Sequence, residues 1–230
     1  MTDIISTGIE KIDRELSGGI EVGSIFAINA GPAMQSEALF QPMMQQQPTL
    51  YLTTLRDPTS VSESLEALDQ ELEVKDLRNR QHIGNDFVEQ ITGSRTETFT
   101  PSNDDQPLEN FYEAVEGIDQ QVTVVVDPVN PLEQTENRTL YREVLNELKL
   151  ALLDTGSIGI LHCHLLDGAP PLRDVTLAMS DVVMDLDLVS EKRQKQYQVT
   201  IPKNRGGEPL LEESNIVIDS EVWVDESRNI

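Results

Sequence analysis

Along this chain, short apolar runs alternate with stretches in which apolar residues return every three or four positions. The runs at 24–29, 49–54, 86–91, 122–127, 157–164 and 181–188 have the length and composition of buried strands. Between them, residues 61–72 place Val61, Leu65, Leu68 and Leu72 at helical spacing. Residues 139–154 do so more strongly, with Leu140, Val144, Leu145, Leu148, Ala151 and Leu152 on one stripe. Strands alternating with helices predict an α/β fold with a mainly parallel sheet. After residue 190 the pattern changes: 195–203, 210–218 and 221–224 read as strands joined by short turns, an antiparallel extension spanning 195–224. The polar, turn-rich segment 96–107 is the expected mobile loop. With no internal repeat and no linker, residues 1–230 read as one domain.

Charge changes the picture. The chain carries 41 acidic against 17 basic residues, a formal net charge of −24 and a pI near 4.3. The acid is spread along the whole length, as on a halophile's surface, where dense salt screens self-repulsion. A generally acidic regulatory protein is the alternative. Such a surface makes nucleic acid and anionic membranes poor partners. No run approaches the ~20 apolar residues of a membrane span, and the start MTDIISTG lacks the features of an export signal. The single cysteine, Cys163, rules out an internal disulfide and fits a reducing interior. A soluble, cytoplasmic protein is expected.

The run SIFAIN leads into AGPAMQSEA, where a phosphate-binding loop of the form G-x-x-x-x-G-K-[ST] would stand. Gly31 opens the motif, but Ser36, Glu37 and Ala38 occupy the places of the second glycine, the lysine and the hydroxyl. Met34 and Ser36 remove the freedom that lets backbone amides wrap a phosphate. Ala38 offers no oxygen to Mg²⁺. A unit charge ~4 Å from a phosphate oxygen is worth about 4 kcal/mol at an effective dielectric of 20. Exchanging lysine for Glu37 turns that attraction into repulsion.

The N-terminal run STGIEKIDRELSGGIEVGS resembles the opening of the RecA superfamily, most closely its KaiC-like and RadA-like branch of P-loop ATPases. Ser6, Thr7, Gly8, Ile9, Ile12, Asp13, Leu16, Gly18, Gly19, Ile20, Gly23 and Ser24 match in register. TLYLTTLRDP, VTVVVDPVNPLE, AMSDVVMDLDL and YQVTIPKNRGG resemble later family segments in the right order, so the likeness covers nearly the whole chain. It implies a RecA-like P-loop fold: parallel strands sandwiched by helices, with antiparallel C-terminal strands. It also implies that Asp127 stands at the Walker B position, as a remnant. The alternative for Asp127 is a strand end bonding the following turn at Pro128. The branch's paired catalytic glutamates would fall at Leu55 and Arg56, with Asp57 one place further on. In KaiC-like rings a Lys-x-Arg pair reaches a neighbour's γ-phosphate, which implies an interface role for Lys203 and Arg205. The alternative is an exposed basic turn pairing with local carboxylates.

A second cluster is His162, Cys163 and His164, with Asp167 nearby. Strand alternation puts both imidazoles on one face and the thiol on the other. Two histidines at i and i+2 can share a metal, but zinc wants a third protein ligand, for which Asp127 and His82 are candidates. The alternative is a polar strand end at the ligand-facing edge of the sheet. Three functional readings follow. The first is a non-catalytic ATPase homologue without cofactor, acting through protein contacts in regulation or assembly, with an active RecA-family relative as one possible partner and homo- or hetero-oligomers as its setting. The second is a nucleotide binder or slow ATPase using ATP and Mg²⁺ through an atypical loop. The third is a metal-dependent enzyme at the His162–His164 edge.

Overall fold

Six parallel strands form the body of the sheet; the central ones are apolar on both faces, and helices cover both. A computed structural model describes residues 3–78, 105–191, 194–218 and 222–224. The parallel strands are β3 (Ile25–Ala30), β4 (Thr49–Thr53), β5 (Leu72–Asp76), β6 (Thr123–Asp127), β7 (Ile158–His164) and β8 (Val182–Glu191). Every residue of β3, β4 and β6 is buried. The antiparallel strands β9 (Gln194–Asn204), β10 (Leu210–Ile218) and β11 (Val222–Val224) continue the sheet beyond β8. The order is β11-β10-β9-β8-β3-β7-β6-β4-β5. A separate antiparallel pair joins β1 (Ile4–Ile5) to β2 (Ile20–Glu21).

Helices α1 (Glu10–Glu15), α2 (Glu37–Met44) and α3 (Pro58–Ser64) contribute to the core on one face. There Ile12, Leu39, Phe40, Met43 and Val61 pack with Phe26, Ile28, Tyr51 and Ile160. Helices α4 (Gln106–Glu116), α5 (Arg138–Thr155) and α6 (Arg173–Met179) cover the other, where Phe111, Leu145, Leu148 and Val175 meet Ala27, Leu161 and Cys163. The apolar stripe expected at 139–154 is this α5, capped by the Asn137 carboxamide on the Leu140 amide at 3.0 Å. Gly156, at φ 75°, ends it in the left-handed conformation.

The helix expected over 61–72 is shorter than its periodicity suggests. It begins at Pro58, capped by Asp57, and stops at Ser64. Leu65 still packs in the core, but Leu72 opens β5, which pairs in parallel with β4. Strand pairing at the sheet's edge outweighs helical spacing that three turns could not hold. Strand β5 and helix α4 were not among the expected elements. The run at 86–91, His82, and most of the segment 96–107 lie outside the described residues; Gln106 and Pro107 belong to α4. Among the described residues no helix is long and apolar enough to cross a membrane.

The N-terminal segment fixes α2 in place. Asp13 accepts hydrogen bonds from the Thr7 amide at 2.6 Å and the Thr7 hydroxyl at 2.7 Å. Between them Gly8, at φ 74°, lies so close to α2 that an added Cβ would come within 2.7 Å of the Pro42 Cβ. That contact needs glycine for both its backbone angle and its lack of a side chain.

Candidate functional site

The loop after β3, the N-terminus of α2 and the C-terminal ends of β4, β6 and β7 meet at one edge of the sheet. This is where ligands bind in open α/β folds. Strand alternation gives the side chains their directions. Tyr51, Asp127 and His162 all point to the α2 face, whereas Cys163 points into the opposite core. The expected separation of the two imidazoles from the thiol is therefore present.

A chain of hydrogen bonds links four elements there. The Ser36 hydroxyl lies 2.7 Å from Nε2 of His162, and Nδ1 of His162 lies 2.6 Å from Oδ1 of Asp127. The other carboxylate oxygen of Asp127 accepts from the Tyr51 hydroxyl. Ser36, His162 and Asp127 are 1%, 0% and 2% exposed. Phe40, one turn beyond Ser36, packs against the His162 ring at 5.4 Å between centroids. His164 meets the same ring edge-on at 4.5 Å.

Charge states follow from these contacts. Burial works to raise the Asp127 pKa, but hydrogen bonding and charge from His162, with the Tyr51 bond and the charge of His164, hold it below the usual carboxylate value. Asp127 is thus an acceptor, so Nδ1 of His162 donates to it; in the neutral ring Nε2 then accepts from Ser36. Burial, reinforced by the Asp127 charge, pushes the Tyr51 phenol upward and keeps it a donor. Burial and the neighbouring His162 lower the His164 pKa, against the pull of Asp127.

The expected loop residues take specific places. Gly31 is covered by Met34, whose Cε would sit 3.2 Å from a Cβ at that position. Ser36 stands at the N-cap position of α2 without a side-chain capping bond, and Glu37 and Ala38 form the first turn, with the Ala38 amide bonded to Gln35 O at 3.2 Å. The Glu37 amide donates no hydrogen bond among the described residues. Asp127 does not bond the turn at Pro128 through its side chain, as the sequence alternative had it; Thr54 Oγ1 holds the Pro128 carbonyl instead, at 2.6 Å. Asp57 is committed as the cap of α3, Leu55 is 57% exposed, and Arg56 reaches Ser64 at 3.0 Å.

Asp127, His162 and His164 offer ligand atoms within 4.8 Å of one another, so the structure supplies the third group that sequence left open. Both nitrogens of His162 are already hydrogen-bonded, so a metal bound there would have to displace Ser36 or the direct bond to Asp127. On the far side of β7, a buried ion pair buttresses the same edge. Arg173 contacts Glu133 through Nε and NH2 at 2.8 Å each and also reaches the His164 carbonyl at 3.4 Å. Asn130 brackets His164, donating to its carbonyl at 2.9 Å and accepting from its amide at 2.8 Å.

Lys203 and Arg205 lie at the opposite edge. Asn204 pairs with Val182 at the start of β8, and Val182 pairs with Phe26 near the start of β3. The Lys203 amine donates to the carbonyls of Leu177 and Ala178 at 2.7 and 3.0 Å, and Arg205 to Ala178 at 3.2 Å, at the C-terminus of α6. Arg205 also approaches Asp181 at 3.5 Å, while its side chain stays 59% exposed.

Sheet order, the helices on both faces and the antiparallel end make up an α/β fold of the RecA type, the fold of a KaiC-like protein of known structure. Among solved structures the chain is similar to the KaiC-like protein PH0186 of the hyperthermophilic archaeon Pyrococcus horikoshii OT3. The TM-score is 0.68 and the identity 16%, with 98% of this chain and 100% of that one covered. The chain belongs to the family of unknown function DUF7125, whose model matches residues 4–230. No curated protein matches it.

Proposed function

We propose that this chain is a RecA-like protein that has given up ATP chemistry and acts through protein contacts, in regulation or assembly, in the cytoplasm of a salt-adapted cell. The observation that carries this is the engagement of Asp127. A Walker B carboxylate serves Mg²⁺ through water, but this one is buried and bonded to Tyr51 and His162. Glu37 stands where a lysine would neutralise phosphate, and Ala38 where a hydroxyl would bind the metal. Neither Leu55 nor Arg56 can activate water as a carboxylate does.

The open amide of Glu37 supports the second reading, a residual nucleotide site, since helix N-termini attract anions. One measurement separates the two. ATP with Mg²⁺ is added in molar salt and the melting temperature followed; a ligand at 100 times its dissociation constant adds ~2.7 kcal/mol. No shift is expected. A magnesium-dependent shift abolished by Asp127→Ala would establish nucleotide binding instead.

For a partner, the exposed guanidinium of Arg205 is the surface this reading favours. An active RecA-family ATPase from the same cell is the class of protein it would serve, as an arginine finger. Stimulation of such an ATPase, lost in Arg205→Ala without loss of the complex, supports that role; stimulation that survives removes it.

A further inference from the structure

The Ser36–His162–Asp127 chain has the contacts of a nucleophile relay as well as of a structural network. The geometry points to Ser36 as a nucleophile for acyl transfer, with His162 as its base, Asp127 as the group that orients the base, and an uncharged ester with an apolar acyl group as substrate. The proposal goes beyond the loss of ATP chemistry and does not depend on it.

Four observations carry it. First, serine, histidine and carboxylate are in sequential contact through the required atoms: Oγ to Nε2 at 2.7 Å, then Nδ1 to Oδ1 at 2.6 Å. Second, Ser36 stands on a strand–turn–helix connection between β3 and α2, and the triad runs Ser36, Asp127, His162 in chain order, the arrangement that α/β-hydrolases use. Third, the amide of Glu37, the residue after the serine, makes no hydrogen bond among the described residues and opens an eight-residue helix, where an oxyanion is stabilised. Fourth, the base is held rigidly: Tyr51 fixes the second oxygen of Asp127, and Phe40 and His164 pack the imidazole.

The substrate class follows from the surroundings. Glu37 in the first turn of α2 and a net charge of −24 oppose anionic esters. Leu165 and Leu166, immediately after β7, and Leu55, after β4, are 45%, 51% and 57% exposed at this edge, and suit an apolar acyl chain. Ser36 itself is closed over, and the cluster meets solvent through the half-buried His164. Attack therefore requires the loop from Gly31 to Ser36 to move.

In the reaction, Ser36 Oγ bonds to the carbonyl carbon as its proton passes to Nε2 of His162. The bond to the leaving alcohol then breaks, and that alcohol takes the proton from Nε2. Water, deprotonated by the same nitrogen, attacks the acyl-serine; the acid leaves and the proton returns to Oγ. The co-reactant is water alone.

The test is labelling of the folded full-length protein in molar salt with a fluorophosphonate, with the modified residue located by mass spectrometry. An adduct on Ser36 is expected, slowed about a hundredfold or more in His162→Gln, the scale of general-base assistance. No adduct at Ser36, or one formed equally well in folded His162→Gln, overturns the proposal. If His162→Gln fails to fold, Ser36→Cys decides. Its new thiol is expected to react with iodoacetamide at least about tenfold faster than Cys163, whose buried thiol is pushed up to about 12. Equal rates overturn the assignment. Neither result bears on ATP binding, which the melting experiment measures separately.

Discussion

The hydroxyl of Ser36 lies 2.7 Å from Nε2 of His162, tying the start of α2 to strand β7 across 126 residues of chain. Ser36→Ala leaves that nitrogen buried and without its partner. An unsatisfied buried polar group costs about 1–3 kcal/mol. Urea unfolding in molar salt is expected to show a loss in that range. An unchanged midpoint would mean that the bond does not form in solution.

His164 makes stability depend on pH. Its pKa is held below the ordinary histidine value, first by burial and then by His162, so the unfolded chain binds more protons than the folded one as acid is added. This contribution is complete above about pH 6.5, the unfolded value, and is lost as pH falls through the lower folded one. Denaturation midpoints are therefore expected to fall between pH 7.5 and 5.5, with a shallower slope in His164→Gln. Asp127 acts in a separate, more acidic window: its depressed pKa gives stability that is lost as its carboxylate protonates.

The pair Glu133–Arg173 is buried, with side chains 0% and 8% exposed. Arg173→Met leaves a charge alone in the core and is expected to cost about 3–5 kcal/mol. Adding Glu133→Leu is expected to recover much of that loss, because the desolvated charge is then gone as well. A double-mutant cycle on unfolding free energies checks both statements; a second substitution that adds to the damage would contradict them.

Salt is expected to decide whether the chain folds. Lowering ionic strength from 1 M to 0.01 M stretches the screening length from ~3 to ~30 Å, which lets carboxylates repel across the whole surface. With a net charge of −24, the melting temperature should fall steeply on dilution of salt. Equal stability at both concentrations would remove the halophilic reading.

Much of the frame was legible because strand burial and helix stripes are local. SIFAIN, TLYLTT and VTVVVD appear within a residue or so as β3, β4 and β6, and the parity of His162, Cys163 and His164 was readable from alternation alone. What local pattern could not supply is the pairing of distant residues. Ser36 reads as a lost glycine, yet its oxygen meets a ring on β7; Tyr51 reads as a core aromatic, yet its hydroxyl binds Asp127. Parity along β4 was the available signal for Tyr51, since it puts that ring on the face Asp127 shares. Leu72 failed for the opposite reason: its helical spacing was real, but pairing with Thr49 across the sheet claimed it for a strand.

The contact of Gly8 with Pro42 has a practical consequence. The close approach of Gly8 to Pro42 holds α2 from the N-terminal segment as well as from the loop that precedes it. Pro32, Ala33 and Gln35 are exposed, so a fluorophore or spin label can be placed among them with Ser36 still anchored. Such a reporter would watch the edge of the sheet open and close while the helix beneath it serves as a fixed reference.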